Sequence, residues 1–355
     1  MLDDPKPKKP VPEDLKVQQL EVYPDDPFAD PPVLGSVPFL EALEQRVFDP
    51  QQRRDVLVYL HGFDTEFEEA LQFTAQLTLN IERTRQRVLK GKYGEAVDDA
   101  LASSRPLQPV VITWPSDGEL VPQLSYWSDR RDAEDSRPAI ARILLKLREY
   151  LDTQFQERLR RLEGSKTVRG TRDAMRAGDL QCDVRIHLLT QSMGAFVLRH
   201  GLQEFRQDPS VAGRPLPQLF DQIMLGAADD DDEVFQNDGK LRPLPDLGRQ
   251  TTVYFNPDDG ALLISMTTKN LGKRLGQNGP KEVITLANLA AVKVTDVLDP
   301  GSGDRIGHYY TRLNTGVQSD MVFLMADVPP PLIPGRQPIE NNRYRLVAVP
   351  TRAKR

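Results

Sequence analysis

Short apolar runs alternate along this chain with longer segments whose apolar residues recur at helical spacing. The runs are bounded by turn-forming residues and cover residues 55–60, 109–114, 184–189, 222–225, 251–255 and 291–297. Apolar residues at i, i+3 and i+4 predict helices over 67–81, 140–151 and 195–202. Strands that alternate with helices in this way predict an α/β fold, with a mostly parallel sheet covered by helices on both faces.

The sharpest turn in this pattern lies at residues 187–196, which read HLLTQSMGAF. An apolar strand runs into Ser192, and helical spacing resumes at Ala195. A serine between a strand and a helix, with small residues two places on either side, is the arrangement called a nucleophile elbow. Thr190 stands where a Gly is usual. The alternative is an ordinary serine in a strand-to-helix turn, and the pentapeptide alone leaves both interpretations open.

Composition narrows the class of protein. The 355 residues are 39% hydrophobic and 28% charged, which is typical of a globular protein. The formal net charge of −6 argues against a nucleic-acid partner held through its phosphates. Cys182 is the single cysteine, so an intramolecular disulfide is excluded. Because no signal-peptide core and no window near the ~20 apolar residues of a membrane span is present, we predict no membrane span and a cytoplasmic location.

The pattern also predicts how the chain is organised. Residues 1–40 begin with a stretch rich in Pro and Lys and are predicted to form an extended or disordered arm. Residues 41–330 are predicted to form the α/β domain, with charged insertions near 84–106 and 156–179. Residues 331–355 would be a C-terminal tail that could add one strand.

If Ser192 is a nucleophile, it needs a base to accept its proton. The chain has four histidines, so the search is short. His61 comes directly before a glycine turn, His187 lies inside the same strand as Ser192, and His200 lies two turns down the following helix. His308 alone is predicted to lie in a loop beyond the last strand, at the sheet edge where sites of such folds form. His308 is therefore the predicted base, against the alternative of a loop histidine with local hydrogen bonds.

The base in turn needs a carboxylate, which this fold type places between the serine and the histidine in sequence. Asp258 and Asp259 close the run at 251–255 and fall in that interval, and Asp259 is preferred because a turn into a packed helix follows it. Asp258 and the acidic run 229–232 remain alternatives. The acidic run is more simply explained as a solvated loop or helix start.

A tetrahedral intermediate would need two backbone donors. The predicted donors are the amides of Met193, directly after the serine, and of Phe63, in the HGFD turn after the first strand. Asp64 is unfavourable beside an oxyanion, so we expect its side chain to cap the next helix. Thr65 and Glu68 stand at the spacing of a capping box in that helix.

The sequence lacks the common motifs of metal-binding, redox and nucleotide-binding proteins. The chain contains no HExxH, CxxC, GxxxxGK[ST] or GxGxxG pattern. The acidic run 229–233 lacks the glycine and the spacing of a calcium loop. We therefore predict that the protein uses no metal and no cofactor.

Several segments, taken in order, carry a resemblance to a known family. They read VYLHGFDTEFEEAL (58–71), ITWPSDG (112–118), DRRDAEDSRPAIARIL (129–144), HLLTQSMGAFVL (187–198), IMLGAADDD (223–231), VYFNPDDGALLIS (253–265) and GHYYT (307–311). The chain resembles the α/β-hydrolase superfamily and, more narrowly, the bacterial DUF900 group of unknown function. That group usually has HGYN, HSMG and NDRAL-like segments where this chain has Phe63-Asp64, Gln191 and Asp258-Asp259-Gly260.

The resemblance implies an α/β-hydrolase fold, with Ser192 as nucleophile, Asp259 as acid and His308 as base. Residues and resemblance together predict a serine hydrolase, more narrowly a carboxylic-ester hydrolase, acting on a small-molecule acyl ester. Tyr126, Trp127 and Trp114 are candidates for an apolar acyl pocket, although core packing is the favoured explanation for Trp114. The alternative hypothesis is a non-catalytic scaffold of the same fold that binds a protein or small molecule, because a fold by itself fixes no function.

Overall fold

The computed structural model describes residues 21–26, 28–116, 122–164, 184–267, 272–282, 285–299, 301 and 303–349. Its strands are β1 (Asp25–Asp26), β2 (Val33–Leu34), β3 (Asp55–Leu60), β4 (Leu107–Ile112), β5 (Ile186–Gln191), β6 (Phe220–Gly226), β7 (Gly248–Phe255), β8 (Leu289–Lys293), β9 (Arg336–Glu340) and β10 (Arg343–Leu346). Cys182 lies outside the described residues.

Eight of these strands form one sheet in the order β4-β3-β5-β6-β7-β8-β10-β9. Every neighbouring pair is parallel except β9 and β10, which pair antiparallel. Strands β4 and β9 are the two edges, and β1 and β2 form a separate antiparallel pair. The predicted α/β fold, with its mostly parallel sheet, is confirmed. The carboxyl ends of the six parallel strands β3 to β8 meet along one rim, which is where loops of distant sequence converge.

Helices cover both faces of this sheet. They are α1 (Ser36–Val47), α2 (Phe67–Val88), α3 (Glu95–Ala102), α4 (Pro122–Asp135), α5 (Arg137–Gly164), α6 (Gly194–Gln207), α7 (Gly260–Thr267), α8 (Leu275–Asn278), α9 (Tyr310–Leu313) and α10 (Thr315–Met325). Short 3₁₀ turns occur at Leu244–Leu247, Thr295–Val297 and Pro330–Leu332.

The alternation of side chains along β3 shows how the two layers form. Val56, Val58 and Leu60 pack with α5 and α6, whereas Leu57 and Tyr59 pack on the other face with α2 and α10. Successive residues of a strand point to opposite faces, so a run that is apolar at every position supplies both layers. This double burial explains why DVLVYL carries no polar residue between its ends.

Two parts of the chain contain more structure than their composition indicates. Residues 84–106 include the end of α2 and all of α3, whose Val97 and Leu101 are buried in the sheet-facing core. Their charged residues mark the solvent side of these helices rather than an irregular loop. The C-terminal part adds two strands instead of one, since β10 pairs with β8 and carries β9 beside it.

The boundaries at the N-terminal side and in the second insertion also differ. Helix α1 begins at Ser36, inside the segment 1–40, and α5 continues to Gly164. The remainder of the insertion predicted at 156–179 lies outside the described residues. Among the described helices, none is long and apolar enough to cross a membrane.

Candidate active site

Ser192 occupies a tight turn between β5 and α6. Its φ is 54°, in the left-handed region that L-residues rarely adopt. The turn is held from both sides, because the Ser192 amide donates to Gly226 O at 2.9 Å and its carbonyl accepts from the Asp229 amide at 3.0 Å. The helix then starts so close to β3 that a Cβ on Gly194 would lie 2.6 Å from Leu60 O. Only a residue without a side chain fits at this position, which agrees with the small residues that a nucleophile elbow requires.

His308 and Asp259 form a buried hydrogen-bonded pair. His308 Nδ1 lies 2.7 Å from Asp259 Oδ2, and the two residues are 4% and 0% exposed. The second oxygen, Asp259 Oδ1, accepts from the Leu262 amide at 3.0 Å at the start of α7. With the carboxylate at Nδ1, the proton of a neutral imidazole sits on Nδ1, and Nε2 is left as the basic nitrogen.

The loop that carries His308 is fixed by a second carboxylate. Asp304 Oδ1 accepts from the His308 amide at 3.0 Å, and Asp304 Oδ2 accepts from the Tyr309 amide at 2.8 Å. Both bonds act on the backbone, so they orient the loop without competing for the imidazole. Asp304 has no signal in the sequence other than its position four residues before a histidine.

Gln191 connects this loop to the serine turn. Its Nε2 donates to His308 O at 2.8 Å, and its Oε1 accepts from Thr311 Oγ1 at 2.8 Å. Gln191 is the residue directly before Ser192 and is buried at the end of β5. Gln191, whose motif position next to the serine gives no sign of this role, thus connects the histidine loop to the serine turn.

The electrostatic surroundings of His308 favour its charged form. Burial disfavours the imidazolium and by itself would lower the pKa of His308. The charge and the hydrogen bond of the Asp259 carboxylate outweigh burial and raise this pKa above its ordinary value of 6.5, and the charges of Asp304 and Asp229 add to the rise. An imidazole placed in this way is a stronger proton acceptor than a free histidine. That property suits a base that accepts a hydroxyl proton.

Asp258, the alternative acid, lies in a different environment. It is exposed, and the hydrogen bond it makes is a backbone one, from its amide to Asn256 Oδ1 at 3.3 Å. The contact with His308 is made by Asp259. The geometry therefore favours Asp259 over its neighbour as the partner of the histidine.

The HGFD turn after β3 lies against the serine turn. A Cβ on Gly62 would lie 2.9 Å from Ser192 Cβ, so the absence of a side chain there permits the contact. Asp64 has a φ of 53°, and its amide donates to Asp129 Oδ2 at 3.2 Å. Among the described residues, the amides of Phe63 and Met193 have no hydrogen-bond acceptor. Two polar N–H groups are thus available on the two turns that meet at Ser192.

Asp129 holds the HGFD turn from α4. The side chain is completely buried, and its Oδ2 accepts from Ser116 Oγ at 2.7 Å as well as from the Asp64 amide. Ser116 Oγ in turn accepts from the Thr65 amide at 3.2 Å. Consecutive amides on the far side of Phe63 are thereby clamped, which fixes the direction of the turn.

Comparison with known protein families supports the same fold. A family model described as alpha/beta hydrolase of unknown function (DUF900) matches residues 41–156 and 176–324. The chain belongs to this family. Searches of curated proteins and of solved structures found no match. The resemblance predicted from the ordered motifs is confirmed, and it supplies a hydrolase scaffold without a substrate.

One difference from the DUF900 pattern concerned Asp64, which stands where the family usually has Asn. The prediction that Asp64 caps the following helix was wrong, because α2 begins at Phe67 and its N-cap is Glu66. The capping box lies one residue later than predicted, with the Glu66 amide donating to Glu69 Oε2 at 3.2 Å. Burial is the main cause that raises the pKa of Tyr309 to about 12, and Arg312 opposes it. The carboxylates of Asp304 and Asp64 add to the rise.

Three of the four aspartates in the acidic run 229–232 of this DUF900 chain are buried, so its interpretation as a solvated loop was wrong. Asp229 and Asp230 are 2% and 0% exposed. Asp230 pairs with Arg199 at 2.6 Å, and Asp229 lies 3.3 Å from Arg274 Nε. The cations that make this burial possible come from other elements, and their pairing cannot be read from the run itself. Asp229 also accepts from Tyr126 Oη at 2.7 Å, so the Tyr126 hydroxyl lies beside the serine turn.

The other three histidines have local roles. His61 stacks on Trp114, accepts from the Trp114 amide through Nε2 at 3.3 Å and donates from Nδ1 to Gly62 O at 2.9 Å. His187 is completely buried in β5, where burial above all lowers its pKa to about 3. His200 lies on α6 against Phe196, and burial together with nearby arginines lowers its pKa to about 4. None of the three contacts Asp259, so none has the partner that His308 has.

The candidates for an acyl pocket, Tyr126 and Trp127, differ in their exposure to solvent. Tyr126 is buried and packs against Phe63, with ring centroids 5.7 Å apart, whereas Trp127 is 53% exposed. Trp114 is a core residue, as its apolar surroundings indicate. Among the described residues, no group of three or more His, Cys, Asp or Glu side chains is arranged to hold a metal ion.

Proposed function

We propose that this protein is a serine hydrolase that cleaves carboxylic esters through an acyl-enzyme. The observation that carries the proposal is the buried His308–Asp259 pair, whose loop is hydrogen-bonded to Gln191, the residue directly before Ser192. The same serine has the positive φ that belongs to a nucleophile elbow. A packing role for Ser192 would require neither the backbone strain nor an oriented imidazole at the neighbouring loop.

In the proposed reaction, Ser192 Oγ attacks the ester carbonyl carbon while its proton passes to Nε2 of His308. Asp259 keeps the Nδ1 proton in place and stabilises the imidazolium. The tetrahedral intermediate then collapses, the bond to the alcohol oxygen breaks, and the alcohol leaves with the proton from Nε2. Water repeats the sequence on the acyl-serine and releases the carboxylic acid, which restores the serine hydroxyl.

The oxyanion of both intermediates would be bound by the amides of Phe63 and Met193. Support comes from their position on the two turns that meet at Ser192 and from the lack of acceptors for them among the described residues. A single donor of this kind contributes about 10²- to 10³-fold to kcat in serine hydrolysis. Asp129 is then a positioning residue, because it holds the amide next to Phe63 without facing the substrate.

Labelling by a fluorophosphonate probe tests the proposal. The probe phosphonylates an activated serine, so wild-type protein should become labelled and Ser192→Ala should not. The control Ser319→Ala, at a half-buried serine on α10 whose hydroxyl donates to Thr315 O, should label normally. Turnover of a panel of esters with graded acyl length then defines the substrate class. Folded wild-type protein that remains unlabelled would favour the scaffold hypothesis instead.

Asp129→Asn should lower kcat about 10- to 100-fold with a smaller effect on KM, because a turn displaced by a fraction of an ångström misplaces the Phe63 amide in the transition state. The affinity of a boronic-acid transition-state analogue should weaken in proportion to kcat/KM. Asp135→Asn, at an exposed position on the same helix, is the control. Equal losses for the analogue and for a ground-state ligand would show that Asp129 only supports the fold.

A further inference from the structure

A cavity of about 400 Å³ that opens to the surface lies away from the catalytic groups, between the sheet and helices α1 and α5. Its floor is formed by side chains of β3, β4 and β5 and its roof by α1 and α5. Ser192, Asp259 and His308 do not line it, nor does any residue of the HGFD turn. This cavity is therefore a separate feature of the described structure, and its volume falls in the range of about 300–1,000 Å³ that small-molecule sites occupy.

The walls of the cavity are hydrocarbon. Val56, Val58 and Leu60 line it along β3, and Val110 and Ile112 line it along β4. At about 3.3 Å per residue, the span from Val56 to Leu60 gives a channel about 13 Å long. Water is poorly held in such a space because aliphatic walls supply none of the two to four partners that a buried water needs. An elongated apolar group would fit both its shape and its chemistry.

Polar side chains on β1, α1 and α5 also line the cavity. Arg142 is paired with Asp25 at 2.5 Å, so its charge is compensated. Glu44 accepts a hydrogen bond from the neutral amide of Gln154 at 2.7 Å and keeps its negative charge. Lys146 Nζ lies 4.0 Å from Glu149, whose side chain is 75% exposed. A contact at that distance with a solvated carboxylate contributes little, so the ammonium of Lys146 can bind another anion.

Two further observations concern the same region. The Ser36 hydroxyl lines the cavity, is buried and has no hydrogen-bond partner among the described residues. Phe39 and Ile143, which also line it, are 43% and 39% exposed, so an apolar path leads from the surface to the interior. A hydroxyl donor and a cation beside an aliphatic channel match a molecule with a long hydrocarbon chain and an anionic head.

We infer that this cavity binds one long, unbranched acyl chain, with a carboxylate head group at Lys146. The chain lies along β3 and β4, and the head stays at the helix side of the cavity, which Ser36 of α1 and Lys146 of α5 line. The inference is independent of the proposed esterase activity, because the ligand is bound and not cleaved.

Titration of the full-length protein with saturated fatty acids of 6 to 18 carbons tests the inference, with an environment-sensitive fluorescent fatty acid as the displaced probe. Affinity should rise about fourfold for each added methylene until the chain fills the cavity, and then level off. Val110→Phe should weaken binding about 10- to 100-fold because the ring occupies the channel. Val111→Phe is the matched control, since the adjacent residue of β4 packs on the opposite face of the sheet.

The head group is tested with a fatty alcohol and a methyl ester of the best chain length. Lys146→Gln should weaken the acid about three- to fivefold and leave the two neutral ligands unchanged. Ile112→Phe, on the same face as Val110, replaces Val110→Phe if that variant fails to fold by circular dichroism. These arms separate a free fatty acid from the neutral acyl group of an ester.

Three results would overturn the inference. Wild-type protein that shows no saturable binding excludes the site. Equal weakening by the substitutions at Val110 and Val111 would mean that stability, not occupancy of the channel, was measured. If fatty acid blocked fluorophosphonate labelling of Ser192 equally well in wild type and Val110→Phe, the ligand would lie at the catalytic serine. If wild-type protein were not labelled at all, the proposed esterase activity would fail but the binding test would still apply.

Discussion

Ser192→Ala should lower kcat/KM for the best ester by about 10³- to 10⁶-fold while the protein keeps its fold. The loss is large because the hydroxyl oxygen forms the covalent bond of the acyl-enzyme, and no neighbouring group can replace it. The fold should survive because the turn is held by backbone bonds, from Ser192 N to Gly226 O and from Asp229 N to Ser192 O. Steady-state kinetics and thermal melting measure the two parts of this result.

His308→Ala should have an effect of similar size, and the double variant should be little worse than either single one. Nucleophile and base act as one unit, so removing the second after the first costs almost nothing more. His200→Ala is the control for the loss of an imidazole, since His200 lies on α6 and packs against Phe196. If the double variant lost the product of the two single effects, Ser192 and His308 would act independently and the proposed triad would be wrong.

Asp259→Asn should lower kcat about 10⁴-fold, whereas Asp258→Asn should change it by less than about twofold. The carboxylate of Asp259 accepts a hydrogen bond from His308 Nδ1, and an amide nitrogen in its place would stabilise the wrong tautomer. Asp258 is exposed and adjacent to Asp259, so it is the matched comparison, because the two substitutions are chemically identical. Equal, mild effects would show that another carboxylate orients the base.

The pH profile gives a second readout for Asp259. The base works when His308 is neutral, so kcat/KM should fall as the pH drops through the pKa of His308, which lies above 6.5. In Asp259→Asn the main opposing charge is gone and burial still lowers the pKa, so the acid limb should move to lower pH. Movement of the limb in Asp258→Asn, with none in Asp259→Asn, would contradict the assignment.

The features that could be predicted from the sequence are those with local signals. The strand at 55–60 is apolar at every position, and the turn at Ser192 combines a strand end, small residues and a helix start within ten residues. His308 is predicted as the base by elimination, because the chain has few histidines. The order of motifs along the chain also sufficed to recognise the family.

The supporting residues had no such signals. Asp129 and Ser116 act on the turn at Phe63 from a helix and a loop that lie more than fifty residues away in sequence. Gln191 has no such signal because its two partners, His308 in a loop and Thr311 in the short helix α9, lie more than a hundred residues away in sequence. The buried Asp230 depends likewise on Arg199, whose charge compensates it from α6. Pairings of this kind depend on three-dimensional packing, so the composition of a segment does not reveal them.

The two edges of the sheet have a consequence for the behaviour of the molecule at high concentration. Strand β4 carries Pro109 near its middle, and strand β9 carries Pro338 at its centre. A proline has no amide proton, so each outermost strand lacks one donor that an incoming strand from another chain would need. Polymerisation by strand addition is thereby disfavoured at both ends of the sheet, which leaves helices and loops as the surfaces for any self-association.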